Sequence, residues 1–197
     1  MRAQRIDTPP DGFRLEPEFV SPDEERKVLA AIATRSFRDV VMHGVVAKRR
    51  VLHFGWTYGY ETWRIAPGEP IPPWLAPLRD RAAALGSVDP AALGQALVSE
   101  YPPGAGIGWH RDAPMFGPVV IGISLAAPCR FQLRRTFEGA PRVFEAELAP
   151  RSAYVLAGEA RRAWQHHVPP VRALRYSITF RTVLDPARWT AAGALVE

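Results

Sequence analysis

The sequence predicts a mainly β fold, a sandwich or barrel supported by flanking α-helices. Three observations point there. After residue 96, short runs rich in β-branched and aromatic residues recur to about residue 184. Turn signals separate these runs, including Pro102-Pro103-Gly104, Glu138-Gly139, Ala157-Gly158 and Pro169-Pro170. Helical periodicity and helix caps lie before that point.

Taken in order, Gly12–Val20 reads as an extended lead-in. A helix follows. Ser21 is placed to cap it, Pro22 suits its first turn and Glu24 completes a capping box. Val28, Leu29, Ile32 and Ala33 then share one apolar face. Val40 to Trp56 reads as two short strands turning at His43-Gly44. A second helix is expected over Pro73–Leu85, stopped by Gly86, and a third from the cap Asp89 to about Ala96. Strands are then expected at Leu97–Tyr101, Gly108–Asp112, Val119–Leu125, Cys129–Arg134, Val143–Leu148, Ser152–Leu156, Trp164–His167 and Leu174–Leu184.

A chain of 197 residues is expected to form one domain. Its 47% hydrophobic and 23% charged residues suit a globular protein. No apolar run approaches the ~20 residues of a membrane helix, and the charged start, Met1 to Asp7, has no apolar signal core. A cytoplasmic protein is the expectation. The single cysteine, Cys129, fits a reducing compartment and a small core residue. The net charge of +5 favours polyanion partners, but arginine-rich composition alone produces such a balance.

Trp109-His110-Arg111-Asp112 carries the first chemistry. On a strand, residues two apart share a face, so His110 and Asp112 can address one ion while Arg111 turns away. With one more imidazole they would make the 2-His-1-carboxylate set of non-haem Fe(II) oxygenases. Trp164-Gln165-His166-His167 offers two candidates for that imidazole, and only one of two adjacent strand residues can face the ion. In Arg175 to Arg181, period two puts Arg175, Ser177, Thr179 and Arg181 on one face and Tyr176, Ile178 and Phe180 on the other. The first face is either turned to solvent or a site for a dicarboxylate, because guanidinium pairs with carboxylate bidentately.

These pieces, with Tyr101-Pro102-Pro103-Gly104, Val120 to Leu125, Phe131-Gln132 and Leu156 to Ala160, stand in an order and spacing that resembles the AlkB family of 2-oxoglutarate-dependent dioxygenases. The resemblance spans about Gly12 to Val183. It implies a double-stranded β-helix, or jelly roll, over about 97–184, preceded by a helical and substrate-lid region over about 12–96. It implies Fe(II), 2-oxoglutarate and O2 as cofactor and co-substrates. It places the iron ligands at His110, Asp112 and His166, the last because the family's ligand stands two residues after the tryptophan. Arg175 is then expected to hold the distal carboxylate of 2-oxoglutarate, with Tyr101 and Ser177 as further contacts and Arg181 nearer the iron.

The chain departs from the family where relatives carry asparagine at Ser99 and Ser177, and where some base-repair members carry an acid at Pro114. Arg49 to Tyr60 resembles the family's nucleotide-recognition lid. Arg50 is the expected phosphate contact, and Trp56, Tyr58 and Tyr60 the expected stacking surfaces, against a packing role beside the sheet. Phe54 and Trp109 are read as packing residues, and His43 and His53 as surface or lid residues. The implied function is N-demethylation or hydroxylation of alkylated DNA or RNA, including tRNA, as in DNA repair or RNA modification. Oxidation of a protein or small molecule, or a non-catalytic module on the same fold, are the alternatives. No membrane and no obligate protein partner are expected.

Overall fold

A computed structural model of the chain describes residues 3–42 and 44–190. The chain opens with β1 (Gln4–Ile6) and β2 (Phe13–Glu16), then α1 (Pro22–Ala33), β3 (Arg38–Met42), β4 (Val45–Gly59) and β5 (Arg64–Pro67). Next come α2 (Ala76–Gly86), a 3-10 turn at Pro90–Ala92, β6 (Gln95–Tyr101), β7 (Ile107–His110), β8 (Phe116–Leu125), β9 (Cys129–Phe137) and β10 (Ala140–Leu148). The last elements are β11 (Ala153–Leu156), α3 (Gly158–Arg162), β12 (Gln165–Val168), β13 (Arg175–Val183) and α4 (Pro186–Trp189).

The strands form two facing sheets. One runs β1-β10-β9-β12-β7, and the other β2-β11-β8-β13-β6-β4-β3, with β5 paired to β4. Apart from β1 beside β10, neighbouring strands are antiparallel. This is a double-stranded β-helix, or jelly roll, mainly β with flanking helices, as the family resemblance implies. Its sheets also take in β1 to β4, so they are not confined to residues 97–184. Among the described residues no helix is long and apolar enough to cross a membrane.

Two cores follow from the strand alternation. Ile178 and Phe180 of β13 join Phe54, Val98, Ile121 and Ile123 under α1 and α2, where Val28, Ile32, Leu78 and Ala82 close the layer. Burying each large apolar side chain there contributes about 1.5–3 kcal/mol. Phe13, Tyr101, Phe131, Leu133, Tyr154 and Trp164 fill the space between the sheets, with Cys129 buried at the margin. Gly122 makes room inside this second core, because a Cβ there would meet the Tyr154 ring at 2.2 Å.

The α1 cap is as expected: Ser21 accepts from the Glu24 amide, and the Glu24 carboxylate accepts from the Ser21 amide. Other boundaries differ. The second helix starts at Ala76, and the left-handed residue that ends it is Ser87, not Gly86. Gly86 is still helical, and a Cβ on it would come within 2.9 Å of Ile121, so close helix–sheet packing is what it serves. Past the Asp89 cap there is only one 3-10 turn, because Gln95 and Ala96 already pair in β6. The two short strands expected before Trp56 are β3 and the long β4, which continues through the lid region to Gly59. His43, expected in the turn between them, lies outside the described residues.

Candidate metal centre and co-substrate pocket

β13 sits mid-sheet between β8 and β6, and its polar face points into the sandwich. Arg175, Ser177, Thr179 and Arg181 are all buried there, so the face is not turned to solvent. Register places Arg175 opposite Tyr101, Ser177 between Ser99 and Ser124, and Arg181 opposite Gln95. The Arg175 guanidinium donates from Nε to Ser124 Oγ at 3.1 Å and lies over the Tyr101 ring at 5.1 Å. Its Nη1 is buried without a partner.

His110, the last residue of β7, pairs directly with His166 on β12, and their ring centroids are 4.0 Å apart. Asp112 lies beyond the strand, so simple alternation does not aim it. The loop that follows β7 brings its carboxylate to the same place. Asp112 Oδ2 is 3.9 Å from His166 Nε2, and Oδ1 is 2.6 Å from Arg181 Nη2. Oδ2 is buried with no hydrogen-bond partner.

The three side chains are in the protonation states a metal ligand needs. His110 Nδ1 lies 2.8 Å from the Gly108 carbonyl, which can only accept. The proton therefore belongs on Nδ1 and the lone pair on Nε2, the orientation that a metal-binding imidazole needs. Burial lowers the pKa of His110, and pushes that of His166 down to about 3 with His110 adding to the effect, so both rings are neutral near pH 7. Burial alone would raise the Asp112 carboxyl. Arg181, His166, His110 and Arg161 together outweigh it and keep the group ionised well below the usual carboxylate range. Two neutral imidazoles and an ionised carboxylate with one unused buried oxygen match the donor chemistry of a non-haem iron site. As they stand they are gathered but not closed. Among the described residues, no three His, Cys, Asp or Glu side chains already sit at ligating separation.

Residues 12–181 match the 2OG-Fe(II) oxygenase superfamily. The chain belongs to that superfamily. Membership makes it an oxidoreductase that works with Fe(II), 2-oxoglutarate and O2. It is similar to the alkylated DNA repair protein ALKBH8 homolog of Arabidopsis thaliana, at 32% identity over 182 residues, 80% of this chain and 51% of that protein. It is 27% identical over 172 residues to the mouse tRNA (carboxymethyluridine(34)-5-O)-methyltransferase ALKBH8, covering 82% of this chain and 24% of that one. The chain thus spans about half of one relative and a quarter of the other. The structure of OsALKBH1 has the same fold, with a TM-score of 0.69 at 15% identity over 89% of this chain and all of that one. This oxygenase is AlkB-like.

The remaining expected residues divide by face. His167 of the oxygenase turns outward, where its Nδ1 meets Gln132 Oε1 at 2.9 Å and its ring lies 4.7 Å from Trp109. Trp109 packs there beneath Arg134, on the strand face opposite His110. Arg50 does not reach the pocket. It also faces out and pairs with Glu100 through Nε at 2.9 Å and Nη2 at 2.6 Å. Strand alternation is the reason, and it turns Arg49 inward instead. Trp56 packs on the small cluster of Ile65, Ala113, Met115 and Phe116, while Tyr58 bridges Phe116 and Tyr60 edge-on at 5.6 and 5.1 Å. His53 is half-buried on β4 beside Tyr60, the lid alternative of its expectation, and its Nδ1 has no hydrogen-bond partner.

Four residues of the site are not evident from the sequence. Arg49 lines the pocket and donates to Ser99 Oγ at 3.3 Å. The Tyr154 hydroxyl, its pKa raised by burial, also lines it. Gln95 accepts from Arg181 Nη1 at 2.9 Å and donates to the Trp56 carbonyl at 2.9 Å, linking the Asp112 partner to the lid strand. Arg161 donates to the carbonyls of Asp112, Ala113, Phe116 and Gly117, bracing the segment that carries Asp112. Inward alternation along β4 could have found Arg49. The others depend on contacts between distant segments.

Proposed function

We propose that this oxygenase oxidises an alkyl group on a nucleobase of DNA or RNA, with His110, Asp112 and His166 holding Fe(II). The observation that carries the reading is the Asp112 carboxylate, held by Arg181 through one oxygen and presenting the other, buried and unpartnered, beside His166. Arg175 offers an unused buried Nη1 for the far carboxylate of 2-oxoglutarate, and Tyr101, Ser177 and Arg181 complete its contacts. Fe(II) with 2-oxoglutarate and O2 supplies, when bound, the oxidising power to hydroxylate a C–H bond while the co-substrate leaves as succinate and CO2. The protein's part is positional. Gly108 fixes the His110 tautomer, Arg181 helps keep Asp112 ionised, and Phe131 packs beside the His166 ring at 5.7 Å.

A nucleic-acid substrate is supported by the half-buried aromatics Trp56 and Tyr58 of β4 and Tyr60 just past its end, and by the printed names of relatives that concern DNA and tRNA. An enzyme acting on a base must take it out of the stack, and aromatic side chains can hold it there. Hydroxylating an N-methyl group gives a hemiaminal that releases formaldehyde. The test is a screen of methylated DNA and RNA oligonucleotides beside a peptide set, read by formaldehyde and by mass. Demethylation or oxygen gain in an oligonucleotide is expected; products from peptides alone would overturn the nucleic-acid assignment.

A further inference from the structure

The pocket contains more positive charge than its own acids answer. Its lining holds three guanidiniums, of Arg49, Arg175 and Arg181, and one carboxylate, Asp112. Arg181 pairs with that carboxylate. Arg49 and Arg175 are 4% and 1% exposed, and neither makes an ion pair among the described residues. Each leans on a neutral hydroxyl instead, Arg49 on Ser99 and Arg175 on Ser124. A buried cation resting only on neutral partners is costly, and an arriving anion relieves that cost. Two unanswered guanidiniums in one pocket match a ligand with two carboxylates.

We propose that Arg49 is a co-substrate-binding residue that gives a charged hydrogen bond to a carboxylate oxygen of 2-oxoglutarate beside Ser99. The geometry prepares it for that task. Its guanidinium is held between Ser99 Oγ at 3.3 Å and the Tyr60 ring, whose centroid is 5.9 Å from Cζ. β4 brings it to the wall formed by β6, next to Ser99 and Tyr101 and across from Arg175 on β13. Ser99 has only a short hydroxyl to offer, and Arg49 extends the donor array past it. Arg50, one residue on, is answered by Glu100 on the outer face and has no such role.

This inference rests on the reading that the pocket takes 2-oxoglutarate, and the test separates the two. The dissociation constant of 2-oxoglutarate is measured calorimetrically on the Mn(II)-loaded protein and on Arg49→Gln, Arg49→Lys and Arg175→Gln, with circular dichroism to check folding. Arg49→Gln is expected to weaken binding about ten- to a hundredfold, the loss of one charged hydrogen bond. Arg49→Lys retains the buried charge and serves if the glutamine variant does not fold; it should bind about threefold or more weakly, because the fork is lost. Unchanged affinity in a folded Arg49 variant alongside a weakened Arg175→Gln overturns the role of Arg49 and leaves the pocket reading intact. Unchanged affinity in all variants overturns both. An Arg49→Gln protein that keeps 2-oxoglutarate affinity and loses oligonucleotide binding also overturns the proposal, by giving Arg49 to a substrate anion.

Discussion

His53 shows how the environment of a single side chain sets its chemistry. Burial, with Arg181, Arg49 and Arg38 nearby, pushes its pKa from 6.5 down to about 4. The folded protein therefore resists a proton that the unfolded chain accepts. The resulting stability is fully present above pH 6.5 and falls as pH drops toward 4. Replacing His53 with Leu should remove this dependence. Urea unfolding at pH 7 and pH 5 is expected to show a loss on the order of 1–2 kcal/mol greater in the wild type than in His53→Leu. Equal losses would mean that the ring is protonated in place. The same low-dielectric setting keeps His110 and His166 neutral, the form in which an imidazole can donate a lone pair.

At the scale of elements, strand pairing and loop bracing do separate jobs. β7 and β12 set the two histidines opposite each other, so their spacing is inherited from a ladder. Asp112 has no ladder, and its segment is held by the Arg161 fork from α3. Arg161→Gln should lower stability by about 3 kcal/mol, since several bonds from one buried charge are lost. It should also weaken Mn(II) binding, because the carboxylate is no longer held in place. Urea denaturation and metal titration check both, and wild-type values in both would show that the bracing is dispensable. The polar face of β13 was legible in the sequence because period two is a local property. Arg161 was not, because its value depends on carbonyls 44 to 49 residues away. Arg49 was missed for a related reason: alternation says that neighbours face opposite ways, but composition does not say which of Arg49 and Arg50 points inward. The i, i+2 argument for His110 and Asp112 was incomplete, since the strand ends between them and the loop, not alternation, brings the carboxylate beside the histidines.

For the whole molecule, the two sheets divide the work. The larger sheet carries the buried arginines and hydroxyls of β13, and the smaller brings the paired histidines; Phe131, Leu133 and Tyr154 pack in the apolar layer between them. Helices α1 and α2 cover the opposite face of the larger sheet, which lets β13 be polar inward and apolar outward in the same nine residues. A sandwich or barrel could be expected from the many short strands, and the jelly roll from the family resemblance; the joining of distant segments is what brings His110, Asp112 and His166 together. The most direct measurement is succinate formation from 2-oxoglutarate with Fe(II) by the wild type and by Asp112→Ala, His166→Ala and His167→Ala. The first two variants should lose turnover, and His167→Ala should retain most of it. An undiminished rate in Asp112→Ala, or a greater loss in His167→Ala than in His166→Ala, would contradict the account.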